Sequence, residues 1–305
     1  TALAENLSII NGKYDVSIFS KEVIFRICIL IILIGLSFHL YSFHTYIYLH
    51  FLMYGLSGIL ILLYLKRQGL FQLSRVWPKF QPAQKKKIYK FGVFTIFSGL
   101  AIVIATRIDM IMLGSMEGLK DVGIYSIAMF MASTIEVPRR AILQSSAPVI
   151  RIFFKERNTE KVAQIQYKTI LNLILIGGFI LTLILVNLDS IYAIIPNGSV
   201  YAKGFWVVFF IGLAKISDMI AGSSDEILVS SKYYFYNFIF ILILTIISIS
   251  FNYLLIPIYG LTGAAVATLI SSSIIVFIKS LVLRYLFGIK PYNLKMLGTL
   301  LFFFM

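Results

Sequence analysis

The residues that could do chemistry in this sequence are ionisable side chains standing inside apolar runs. The segment TRIDMIMLG sets Arg107 and Asp109 two residues apart. That is about 200° around a helix, so they cannot form a good local pair and each needs a partner elsewhere. In IEVPRR, Glu136 precedes Arg139 and Arg140 by three and four residues, which puts possible partners on one helix face. Pro138 removes a helical hydrogen bond and predicts a kink there. AKISD spaces Lys215 and Asp218 three apart, and Asp225 and Glu226 follow two turns on. Each such charge costs about 2.5–3.5 kcal/mol near the centre of a membrane helix, so something must offset it.

Two accounts compete. In the structural one these groups are ion pairs locking helices together, with Arg139 and Arg140 reaching toward headgroups. In the functional one they border a hydrated cleft. Arg107 falls nearer the outer side of its span, and Arg139 and Arg140 nearer the inner side. With Asp109 and Glu136 they predict a graded, net-positive lining suited to a pyrophosphate passing between two openings. Lys215, Asp218 and Asp225 are then cavity or gating pairs. A cation exporter needs the reverse balance, with unpaired carboxylates dominating.

The elements that carry these side chains follow from composition. The chain is 59% hydrophobic and only 13% charged, with a mean hydropathy of +0.92, against about a quarter charged for soluble domains. This predicts an all-α, multi-pass membrane protein. Stretches of about 20 apolar residues can span a bilayer, and eight qualify: 24–43, 47–65, 91–115, 122–147, 169–187, 204–229, 234–256 and 261–283, with a ninth starting near Leu297. With the N-terminus inside, the outer loops are 44–46, 116–121, 188–203 and 257–260. Of 27 Lys and Arg, those loops hold only Lys120 and Lys203, and Arg107 and Lys215 lie within spans. All the rest fall toward the inner side, as the positive-inside rule requires.

The net charge of +14 sits in gaps between apolar runs, so it points to anionic phospholipid and not to nucleic acid. The densest gap, 66–90, is basic, free of acids and broken by Pro78 and Pro82. It reads as a cytoplasmic connector between helical lobes. Cys28 is the single cysteine, and His39, His44 and His50 cluster around one expected turn, so zinc chemistry has no support. In IPIYGLTGAAVAT, Pro257 and Gly260 predict a tight hairpin followed by a small-residue packing face. NGS at Asn197–Ser199 reads as a turn before it reads as a glycosylation sequon. The chain has no initiator Met and stops inside an apolar run, so it reads as a fragment cut at both ends.

TRIDMIMLGSM, then VGIYSIAMFMASTIEVPRRAILQSSAP, and later LIPIYGLTGAAVAT, resemble the polysaccharide biosynthesis flippases of the O-antigen and capsular type. These are members of the multidrug/oligosaccharidyl-lipid/polysaccharide exporter superfamily. The resemblance runs from about residue 20 onward. It implies a MATE-like fold of two six-helix lobes about a central cavity, here incomplete with eight full spans and the start of a ninth. Residues 1–65 would close the first lobe, 66–90 would be the linker, 91–283 the second lobe, and 284–305 a loop and the start of an appended helix. It further implies that the helices carrying Arg107, Asp109, Glu136, Arg139 and Arg140 line the cavity, while the matching helices of the first lobe are missing from this chain.

The implied activity is the flipping of undecaprenyl-pyrophosphate-linked oligosaccharide across the bacterial inner membrane by alternating access. It uses no cofactor beyond a possible H+ or Na+ gradient. Implied partners are the lipid-linked oligosaccharide and the polymerase or glycosyltransferases of the same pathway. An ion-coupled multidrug exporter of the same fold is the alternative, and would depend on Asp109 and Asp218. A membrane glycosyltransferase or polymerase is disfavoured, because the longest outer loop, 188–203, offers only Asp189 as a catalytic carboxylate.

Overall fold

The computed structural model describes residues 19–69 and 81–289. The middle of the expected linker and the expected ninth helix from Leu297 lie outside these residues. The chain divides into two compact units, residues 1–84 and 85–305.

In the first unit a π-helical turn, Phe19–Ile24, leads into α1 (Phe25–Ser37), which packs against α2 (Phe43–Arg67). Sequence reasoning put the intervening loop at 44–46, but the turn is Phe38–Ser42. His39 adopts a left-handed φ of 54°, and the Leu40 and His39 amides donate to the Gly35 and Leu36 carbonyls at 3.1 and 3.0 Å. This is a Schellman end, which usually carries glycine at the left-handed position, so histidine there hides it from a sequence search. Ser42 then caps α2 by accepting from the Thr45 amide at 3.4 Å.

Helix α3, all but its first three residues in the second unit, runs over Pro82–Met116 and so starts nine residues earlier than the apolar run alone predicts. Proline in the first turn and Gln84 Oε1 accepting from the Gln81 amide at 3.0 Å explain the early start. The expected span 122–147 is two helices, α4 (Leu119–Ser133) and α5 (Glu136–Lys155). The break falls at Thr134 and Ile135, because the Pro138 ring excludes the carbonyl four residues back. There the Thr134, Ile135 and Val137 amides reach only three residues back, to the Met131, Ala132 and Thr134 carbonyls.

Helix α6 is Thr159–Val186; the stretch expected as a loop, 188–203, holds the short helices α7 (Leu188–Ile194) and α8 (Gly198–Tyr201). Asn197 takes a left-handed φ of 57° in the turn between them. Helices α9 (Phe205–Ile220) and α10 (Ser224–Val229) are separated at Gly222, whose φ is 55°. The wholly buried amide of Gln166 on α6 clamps this break. Its Nε2 donates to the Ala221 carbonyl at 2.8 Å and its Oε1 accepts from the Ser223 amide at 2.7 Å.

The last helical stretch, α11 (Phe235–Phe287), contains the hairpin read from the sequence. Gly260 has φ 55° and ψ −133°, so two arms meet there. A Cβ on Gly263 would lie 2.1 Å from the Leu255 carbonyl oxygen, which requires the chain to double back. Accordingly Lys279 of the second arm lies 5.9 Å from the Phe240 ring of the first. Buried Ala264, Ala265 and Ala267 form part of the small-residue face, and α11 packs most extensively on α9.

Among the described residues four helices are long and apolar enough to cross a membrane: Phe43–Arg67, Thr159–Val186, Gly198–Ile220 and Phe235–Phe287. Eight stretches were expected: 234–256 and 261–283 share one helix across Gly260, 122–147 is interrupted at Thr134, α1 is only 13 residues long, and 91–115, which lies within α3, is not among the four.

Candidate substrate cleft

A cavity of about 450 Å3 in the second unit opens between α3, α4, α5 and α9. Helix α4 offers it Ser126, Met129, Phe130 and Ser133, the spacing of a single helical face. Arg107 on α3, Glu136 and Arg140 on α5, and Lys215 on α9 complete the charged lining. The three cations face Glu136 as the only carboxylate of that lining.

Glu136 is held from both sides. Its Oε1 accepts from Lys215 Nζ at 2.8 Å, and its Oε2 lies 3.6 Å from an Arg140 guanidinium nitrogen. The Glu136 and Lys215 side chains are 20% and 18% exposed, whereas Arg140 is 75% exposed and so free to turn toward a ligand. Arg107 has no salt bridge among the described residues; its Nη1 approaches the Met110 sulfur at 3.7 Å. The cleft therefore presents an excess of positive charge, with hydroxyls beside it, in the chemistry that binds phosphate oxygens.

The other expected site residues separate from this cleft. Asp109 is only 4% exposed. Its Oδ2 accepts from the Tyr125 hydroxyl at 2.6 Å and its Oδ1 from the Met110 amide at 2.8 Å. It lines a second, smaller cavity of about 130 Å3, together with Lys215, Asp218, Ser248, Thr268 and Ser271. Arg139 is half-buried, lines neither space, and its Nε is buried without a hydrogen-bond partner. Lys215 and Asp218 do not pair with each other: Lys215 reaches Glu136 instead, across the bundle. Asp225 pairs with Lys279 at 2.7 Å, near the end of the α11 hairpin.

Sequence reasoning left out Lys279, Tyr125 and Gln166. Lys279 carried the usable signal, a charge inside the span 261–283, but was absorbed into the inner-side count of basic residues. Tyr125 lay in the quoted GIY segment without a role. Nothing in the sequence marked Gln166.

Residues 11–154 match the family model described as polysaccharide biosynthesis protein, a match that takes in Arg107, Asp109, Glu136, Arg139 and Arg140 but not Lys215. No curated protein matches the chain. Several solved structures share its fold. A MOP superfamily transporter from Pyrococcus furiosus, described by the reverse polarity of its binding pocket, superposes with a TM-score of 0.61 at 15% identity, covering 81% of this chain and 57% of that one. An outward-facing multidrug resistance MATE family transporter gives 0.59 at 14% identity over 83% and 56%. A MATE in the straight conformation gives 0.57 at 16% identity over the same shares. The chain thus spans a little over half the length of the structures it matches. It is a multi-pass, all-α membrane protein of the MATE-like fold. The family match covers a little under half of the chain, and the likeness to the solved transporters shows the fold.

Proposed function

We propose that the complete protein is a transporter that carries a lipid-linked oligosaccharide across the bacterial inner membrane by alternating access, with the α3–α4–α5–α9 cleft receiving the pyrophosphate. The observation that carries this reading is the charge of the cleft: Arg107, Arg140 and Lys215 against Glu136. Intramembrane cations are costly unless they serve a hydrated, anionic passenger. The description of the matched family supports the same passenger class. In this reading the lipid tail stays in the bilayer, basic residues of the 66–90 segment rest on anionic phospholipid, and the polymerase or glycosyltransferases of the pathway are functional neighbours.

The test is Arg107→Ala in the complete protein, with surface polysaccharide and membrane abundance measured together. The expected result is loss of surface glycan at unchanged abundance, with lipid-linked oligosaccharide held on the inner leaflet. Normal surface glycan at normal abundance would overturn the assignment.

One observation favours a second reading, an ion-coupled drug exporter. The smaller cavity brings Asp109 and Asp218 together with five hydroxyls and the Lys215 ammonium, two carboxylates to one cation, a set that suits a proton or small cation. Drug efflux that depends on both carboxylates, with surface glycan unchanged on gene loss, would select that reading over the first.

A further inference from the structure

A third cavity, of about 380 Å3, lies between α5 and α10, within the usual range of small-molecule pockets, about 300–1,000 Å3. From α5 it takes Arg140, Gln144 and Arg151, and from α10 Asp225 and Glu226. Arg140, Gln144, Ala147 and Arg151 follow one another at intervals of four, three and four, so they form one stripe along α5. Arg140 lines this cavity and the pyrophosphate cleft alike, which joins the two spaces at one side chain.

The lining has an unusual balance. A simple anion would be repelled by Asp225 and Glu226, and a simple cation by Arg140 and Arg151. A neutral group rich in hydroxyls suits both sets, since each hydroxyl donates to a carboxylate and accepts from a guanidinium or amide. Asp225 uses only Oδ1 for Lys279 and its side chain is 39% exposed, so Oδ2 is left to accept from a ligand. Glu226 also lines the cavity, with its Oε2 buried and without a hydrogen-bond partner. Leu143, Ala147 and Val229 add an apolar side, able to cover the C–H face of a pyranose ring or an acetamido methyl.

We propose that this cavity is a saccharide subsite, holding the sugar next to the pyrophosphate while Arg107 and Lys215 hold the pyrophosphate itself. The proposal rests on the transport reading above and adds to it a place where the glycan is recognised. Gln144 and Glu226 are its specificity residues, and Arg140 serves both ligand parts.

The experiment compares two probes on the complete protein in nanodiscs: farnesyl pyrophosphate, and farnesyl pyrophosphate carrying one N-acetylglucosamine. Gln144→Leu and the isosteric Glu226→Gln should each weaken the sugar-bearing probe about tenfold, the effect of a lost hydrogen bond to a charged or well-placed polar group. Both should leave the sugar-free probe unchanged, which also shows that the variants fold. Arg107→Ala should weaken both probes. Equal loss of the two probes in Gln144→Leu and Glu226→Gln, or no loss in either, overturns the subsite. If the unaltered protein binds both probes with equal affinity, only the subsite falls. If it binds neither, the transport reading falls and the subsite with it.

Discussion

Lys215 Nζ lies 2.8 Å from Glu136 Oε1, joining α9 to α5 across 79 residues of sequence. Both side chains are mostly buried, so removing one strands the other. Lys215→Met should lower the thermal midpoint in detergent more than the Glu136→Gln, Lys215→Met double variant does. A double-mutant cycle should give a coupling of about 0.5–3 kcal/mol. Strict additivity would show that the pair holds nothing together.

Tyr125 is wholly buried and donates its hydroxyl to Asp109. Tyr125→Phe keeps the ring and leaves one carboxylate oxygen short of a donor. The expected cost is about 1.5–3 kcal/mol, the worth of a hydrogen bond to a charged group, read as a fall in the unfolding midpoint. An unchanged midpoint would mean that water replaces the phenol without loss.

The Gln166 clamp makes a local prediction. Gln166→Leu leaves the Ala221 carbonyl and the Ser223 amide unpaired in a buried setting, at about 1–3 kcal/mol for each group. Hydrogen exchange should rise at Ser223 and its neighbours while the hairpin arms around Gly260 stay protected. Gly222→Ala should also destabilise, because its φ is 55° and the new Cβ would sit 2.5 Å from Ile170 Cγ1. Unaltered exchange in Gln166→Leu would remove the clamp from the account.

Tyr192, on α7 outside the spans, is pushed above the ordinary phenol range first by burial and then by the Asp189 carboxylate. A raised folded-state pKa gives stability that is full below the unfolded pKa of about 10 and lost as pH climbs through the folded value. Since the hydroxyl is buried without a partner, Tyr192→Phe should cost little at neutral pH. It should also lessen the loss of stability above about pH 10 relative to the parent protein. Identical alkaline profiles for the two would count against the shift.

Much of this architecture was legible because backbone satisfaction in hydrocarbon leaves a chain few options. The hairpin at Gly260 and the break beside Pro138 were readable, since proline and glycine act through local sterics that no distant contact cancels. The turn at His39 was not, because its left-handed residue lacks the usual glycine signal. The reach of α3 back to Pro82 was missed for another reason: a basic, polar first turn carries no hydropathy, only a cap.

By itself the sequence determined that apolar runs of this length must be membrane helices, that basic residues crowd one side, and that several charges sit where lipid cannot solvate them. Tertiary structure alone decided the partners. Glu136 is paired with Lys215 on α9 as well as with Arg140 on its own helix, Asp109 is taken up by Tyr125, and Asp225 by Lys279. Sequence spacing fixes only neighbours on one helix face, whereas pairs between helices depend on packing register. A rotation of one helix by a single residue, about 100°, would have sent each of these side chains to a different neighbour.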